Sequence, residues 1–356
     1  MVKFWLTLFL VFTGKNLYSI CAAHRTNFSQ CGISDFEPDL DNVSNVKIGT
    51  NHIYKGRPVE NANSMPWMVT LISLQGLCTG TIIGHKYILT AYHCVSGIIS
   101  FPSSVQISYG TVNVSNEKHK TIGRNIIIHP NASLSEMRVK INGSEIGTVS
   151  LSNDLAIIEV ENTIKFSPNV QPICLFGLDA SSHSKVSEKD KFDTFSATNN
   201  SPFIVAGWGL TQPMCQKYPA PEASAQLMVG KMRMISMEEC LEYTTKDINN
   251  EFNNLSNALP FVNNTRALLT EFNSAYLKDK FCVVAEPSLA EKGDSGGPLM
   301  RKIDKNNWVQ VGVASTSMCS PEKPESTDGL TSEYTQIDCN WIEEATNGEV
   351  KCIKME

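Results

Sequence analysis

Gly293-Asp294-Ser295-Gly296-Gly297-Pro298 is the stretch on which the reading of this chain turns. Glycines and a proline around one serine fix a tight bend. Such a bend lets the hydroxyl project into a cleft, and it turns the backbone N–H groups of Gly293 and Ser295 toward the place where an oxyanion would form. A bare Gly-Ser-Gly is common in turns, but the full hexapeptide is far more restrictive.

Two other segments supply partners for this serine. Thr90-Ala91-Tyr92-His93-Cys94 closes a β-like run, Thr81 to Leu89, with Cys78 just before it. Asp154 opens the apolar stretch Asp154-Leu155-Ala156-Ile157-Ile158-Glu159-Val160. A serine hydroxyl is a poor nucleophile at neutral pH and needs a neighbouring base. The base in turn needs a carboxylate to fix its tautomer and stabilise its charged form. Taken singly, a histidine after a strand is structural, an aspartate before an apolar run is a strand-end residue, and a tryptophan between glycines is packing. The ordered set His93, Asp154, Ser295 reverses those readings.

These residues resemble the chymotrypsin/trypsin family of serine proteases. Thr90 to Cys94 is similar to that family's histidine motif, Asn153 to Ile158 to its aspartate motif, and Gly293 to Pro298 matches its nucleophile motif. The resemblance runs from Ile53 to Ile342 through Pro66-Trp67, Gln171-Pro172-Ile173-Cys174-Leu175, Gly207-Trp208-Gly209 and Trp341-Ile342. The order separates it from α/β-hydrolases (Ser, Asp, His) and from subtilisins (Asp, His, Ser). The resemblance implies an all-β fold of two packed six-stranded antiparallel barrels with a C-terminal helix, the site lying between the barrels. It implies a serine endopeptidase with His93, Asp154 and Ser295 catalytic, and Gly293 and Ser295 forming the oxyanion hole. No metal or organic cofactor is implied. The expected partners are a protein or peptide substrate and a protein inhibitor or activating protease, with no nucleic acid or membrane, for a monomer. The alternative is a catalytically weak homologue acting as an extracellular binding module.

The formal net charge of −6 gives no electrostatic reason to bind nucleic acid. Residues 1–23 read as a signal peptide: Lys3 starts it, Phe4 to Phe12 is a short apolar run, and Cys21-Ala22-Ala23 offers small residues for cleavage. Residues 24–52 are mostly polar and propeptide-like, leaving 53–356 for the protease domain. Eleven cysteines, ten of them beyond the leader, fit disulfides in a secreted chain. Sequons at Asn27, Asn42, Asn113, Asn131, Asn142, Asn199, Asn254 and Asn263 agree with a glycoprotein. Short apolar runs separated by turn residues, with clear alternation over Val309 to Val313, predict many short antiparallel strands. Ile337, Trp341, Ile342 and Ala345 share a helical face, expected to pack on the second barrel. Ser181 to Ser201 and about Thr244 to Lys278 read as polar surface insertions.

Against the family pattern, several positions differ. Leu289 stands six before the nucleophile, at the inferred pocket floor where trypsin-like members carry aspartate. Arg and Lys are therefore disfavoured unless an acid such as Glu286 or Glu291 reaches the pocket. Ser315-Thr316-Ser317 replaces the usual Ser-Trp-Gly of the substrate-binding strand, and Ser317 narrows the mouth. A medium apolar residue, Leu or Met, is then expected on the acyl side of the cut. The resemblance pairs Cys78 with Cys94, Cys240 with Cys282, and Cys31 with Cys174. The pairing of Cys215, Cys319, Cys339 and Cys352 stays open: Glu291 replaces the family partner of Cys319, which makes Cys215 the best-placed mate, and elimination then favours Cys339–Cys352. Ile53-Tyr54-Lys55-Gly56-Arg57 is the nearest match to an activation terminus, whose amino group would pair with Asp294. It lacks a preceding basic residue, as His52 stands there.

Overall fold

The strands predicted from alternation form, and they close on themselves. The structure is a computed structural model that describes residues 31–38, 53, 55–116, 119–141, 144–177, 202–212, 222–236, 238–240, 242–243, 279–286, 288–317 and 329–353. The expected signal peptide, most of the propeptide-like segment, both polar insertions, Cys215 and Cys319 lie outside these residues.

In chain order the strands begin with β1 (Arg57–Pro58), β2 (Met68–Ser73), β3 (Gly76–Ile82), β4 (Tyr87–Thr90), β5 (Gln106–Tyr109) and β6 (His119–Ile128). Next come β7 (Ser133–Ile141), β8 (Ser144–Ser152), β9 (Ala156–Val160) and β10 (Cys174–Leu175). The last are β11 (Phe203–Gly207), β12 (Met228–Ile235), β13 (Lys280–Ala285), β14 (Pro298–Lys302), β15 (Trp308–Ser317) and β16 (Thr331–Gln336), before helix α1 (Cys339–Ala345).

The first barrel closes in the order β2-β3-β4-β9-β6-β5. The second closes through antiparallel pairs β11–β12, β12–β13, β13–β16, β16–β15, β15–β14 and β14–β11. Two six-stranded antiparallel barrels with a C-terminal helix are the architecture that the resemblance implied. Closure removes free strand edges, which an open sheet would expose to pairing with other chains. β1 adds to β12, and β10 runs parallel to β15.

One apolar core spans both barrels, joining Leu89, Ile107 and Ile158 of the first to Ala206, Val229 and Val313 of the second. Val205, Met228, Val283, Leu289 and Val311 belong to a second cluster, within the second barrel. Polar bonds also cross between the barrels. Thr81 Oγ1 donates to Gln310 Oε1 at 2.8 Å, and Trp67 Nε1 reaches Met300 Sδ at 3.2 Å.

Among the described residues, four disulfides join Cys31–Cys174, Cys78–Cys94, Cys240–Cys282 and Cys339–Cys352. The first ties residues 31–38 to the body, where Gly32 N also donates to Pro172 O and Ser34 N to Asn306 O, each at 2.8 Å.

The helix departs from expectation in one respect. Trp341 and Ile342 are buried as the periodicity predicts, but the helix docks on His129, just after β6 of the first barrel. Asp338 caps it by accepting from Trp341 N at 3.0 Å, and the same side chain meets His129 Nε2 at 3.2 Å. The Trp341 ring packs edge-on to His129. Helical spacing identifies the buried face but not the surface that covers it.

Candidate active site

His93, Asp154 and Ser295 each sit where a strand gives way to a loop. His93 lies in the short turn Tyr92–Cys94 directly after β4. The Cys78–Cys94 disulfide pins that turn to β3. Asp154 lies between β8 and β9, in a turn where Asn153 adopts φ 45°. Ser295 lies in the loop between β13 and β14.

The Ser295 loop is held from three sides. Asp294 N donates to Glu291 O, and Gly297 N to Asp294 O, both at 2.8 Å. Gly296 N donates to Ala314 O at 2.9 Å on β15. From the first barrel, Thr79 donates twice: its N–H to Ser295 O at 2.8 Å and its Oγ1 to Gly293 O at 2.9 Å. Glycine is required at two of these positions. Gly293 and Gly296 have φ of 102° and 80°, and a Cβ on Gly296 would stand 2.1 Å from Thr90 Oγ1. Among the described residues, neither the Gly293 nor the Ser295 N–H donates to a protein acceptor.

Asp154 is fully buried and meets His93 in two places. Its Oδ2 lies 2.7 Å from His93 Nδ1, and its Oδ1 accepts from the His93 backbone N–H at 2.9 Å. Ser315 Oγ donates to Oδ2 at 2.7 Å. Burial alone would raise the pKa of this carboxyl. The hydrogen bonds and charge of His93, helped by Ser315, outweigh burial and hold it below the usual carboxylate value. An ionised carboxylate only accepts, so Nδ1 carries a proton and the neutral imidazole presents a lone pair at Nε2.

Ser295 approaches the imidazole through Cys94, whose Sγ is 3.8 Å from His93 Nε2 and 3.6 Å from Ser295 O. No hydrogen bond between Ser295 Oγ and His93 Nε2 occurs among the described contacts. The structure thus joins His93 to Asp154 directly and sets Ser295 beside them.

A cavity of about 220 Å³ opens next to Ser295, lined also by Ala290, Glu291, Lys292, Ala314, Ser315, Thr316 and Ser317. Leu289, the inferred floor, is not in this lining. It is fully buried in the second-barrel core with Met228 and Val283. Glu291, one of the two acids whose presence in the pocket would admit Arg or Lys, stands in the lining. Ser317 lines the cavity and shares a hydrogen bond with Ser332 Oγ at 2.9 Å. Ser315 is also in the lining, but its hydroxyl turns to Asp154. Sequence reasoning missed Ala290, Lys292 and Ala314. Their positions in the two segments flanking Ser295 and Ser315 were the available signal.

Asp294 points away from the cavity into the protein. It accepts from Gly209 N at 2.8 Å and Glu291 N at 2.9 Å. Burial pushes its pKa up to about 7 despite these two donors. Ile53, at the inferred activation terminus, is fully buried, in contact with the second-barrel core. Its φ of 40° is costly for a β-branched residue. Cys78, His93 and Cys94 cluster closely enough to suggest a metal site. Both sulfurs are bound in a disulfide, however, so no thiolate is available to ligate.

A family model described as Trypsin matches residues 53–338. The chain is 23% identical over 330 residues to transmembrane protease serine 11G of Rattus norvegicus, an alignment covering 92% of this chain and 60% of that protein. It is also 23% identical over 286 residues to mannan-binding lectin serine protease 1 of Mus musculus, covering 74% of this chain and 31% of that protein. The chain therefore spans less than two thirds of the length of either relative.

Proposed function

The chain belongs to the trypsin family, and from that premise we propose that it is a secreted serine endopeptidase that cleaves peptide bonds through an acyl-enzyme. Ser295 Oγ attacks the scissile carbonyl carbon as His93 Nε2 takes its proton. The oxyanion is met by the N–H groups of Gly293 and Ser295, each donor contributing on the order of 3 kcal/mol. His93 then protonates the leaving amine, and the C–N bond breaks. Water attacks the acyl-enzyme by the same route, and its proton passes through His93 before Ser295 is released. Asp154 stays ionised throughout and stabilises the imidazolium.

The observation that carries this reading is the 2.7 Å contact of His93 Nδ1 with buried Asp154, whose Oδ2 also accepts from Ser315 in the lining of the cavity beside Ser295. The disulfides support an oxidising compartment and hence secretion. Among the described residues, no helix is long and apolar enough to cross a membrane.

Turnover of a diverse peptide library tests the reading. Wild-type protein should cleave internal peptide bonds, and Ser295→Ala should abolish cleavage while remaining folded. A folded wild-type protein that binds peptides without cutting them would support the binding-module alternative.

A further inference from the structure

Behind the cavity wall lies a charge pair that the mechanism does not use. Lys280 on β13 and Glu333 on β16 meet at 2.8 Å, with side chains 0% and 9% exposed. The Glu333 Oε2 that takes Lys280 also accepts from Thr316 Oγ1 at 2.9 Å. Thr316 lines the cavity beside Ser295. The β15–β16 ladder slips between Ala314 and Thr316, so regular backbone pairing is interrupted at this point of the wall. Two side-chain bonds bridge the same stretch: Thr316 to Glu333, and Ser317 to Ser332.

A buried ion pair is seldom a net source of stability, because desolvation offsets much of the attraction. Apolar residues of like volume would fill the space as well, but they would not accept a hydrogen bond from Thr316. We infer that Lys280 and Glu333 are positioning residues for substrate binding: Lys280 fixes the Glu333 carboxylate, which holds Thr316 and its strand in place as the cavity wall. The substrate concerned is an extended peptide lying along β15 on the acyl side of the cut. The inference rests on the serine-endopeptidase reading.

The test uses two probes of Ser295 on the full chain. A small alkyl fluorophosphonate reads the reactivity of Ser295 alone. A tetrapeptidyl phosphonate also reads the wall, through its saturation constant. Thr316→Val should weaken that constant about tenfold, the effect of losing one hydrogen bond to a charged group, and Thr316→Ser should restore it. The charge-free pair Lys280→Met with Glu333→Leu should keep thermal stability near wild type, yet show the same tenfold weakening. Adding Thr316→Val to that pair should cost nothing more, because the bond is already gone. The alkyl probe should label the charge-free pair, Lys280→Met with Glu333→Leu, at the wild-type rate.

If the charge-free pair keeps the wild-type saturation constant along with wild-type stability, the ion pair is only structural and the inference is overturned. It is overturned equally if Thr316→Val has no effect on the peptidyl probe. Wild-type protein that resists even the alkyl probe would remove the endopeptidase reading and this inference with it. Normal alkyl labelling with an unchanged saturation constant would sink the inference alone.

Discussion

At the scale of single residues, the site depends on keeping Asp154 charged while it is fully buried. Its contacts with His93 and Ser315 hold its pKa down despite that burial. The stability these contacts provide is present above the unfolded carboxyl value and is lost as pH falls through the lower folded one. Ser315→Ala should therefore destabilise the protein by roughly 1.5–3 kcal/mol at neutral pH, the range for a hydrogen bond to a charged group. The deficit should shrink in acid, once the pH has fallen through the lowered folded value and the carboxyl is protonated in both states. Denaturant titrations at pH 7 and in acid check this, and a deficit that does not change with pH contradicts it. Asp154→Asn should lower kcat at least ~100-fold, because Asn presents no charge to stabilise the imidazolium. Steady-state kinetics on a folded variant measures that, and a loss of only a few-fold would remove Asp154 from the proposed role.

Among the elements, the hairpin β7–β8 stands apart. Its nine registered pairs, Ser133↔Ser152 through Ile141↔Ser144, form a two-stranded sheet separate from both barrels. It ends two residues before Asp154. A lone hairpin is marginally stable in water, so its amides should exchange far faster than those of β4 and β9. Hydrogen–deuterium exchange with peptide resolution reads this, and protection equal to the barrel strands would show that the hairpin is part of the core. Much of the architecture was legible in the sequence. Gly293 and Gly296 announce a backbone that other residues cannot adopt, and Val309 to Val313 alternates because one face of β15 lines a barrel. The hairpin was not legible, because Ser133 to Ser152 mixes charged and apolar residues without a strong period. The docking side of α1 and the core position of Leu289 depend on contacts distant in sequence, which local pattern does not encode.

Across the whole molecule, the two barrels lock the Ser295 loop between Thr79 of the first and Ala314 of the second. Asp294 carries the strain of that burial. Its folded pKa, pushed up to about 7, exceeds the unfolded value, so its favourable contribution is full in acid and lost as pH rises through about 7. The stability of wild type relative to Asp294→Asn should therefore fall by a few kcal/mol between pH 4 and pH 8 in the uncleaved chain. Thermal melts across that range would show it, and a constant gap would mean that a cation already neutralises Asp294. An α-amino group released at Ile53 would supply such a cation and reverse the slope. The claim on which the rest depends is that Ser295 is a nucleophile activated by His93. Mass spectrometry of the folded protein after reaction with a fluorophosphonate tests it most directly. The account predicts one adduct per chain, on Ser295, absent from Ser295→Ala and strongly slowed in His93→Ala. Folded protein that stays unmodified, or that carries the adduct elsewhere, would contradict it.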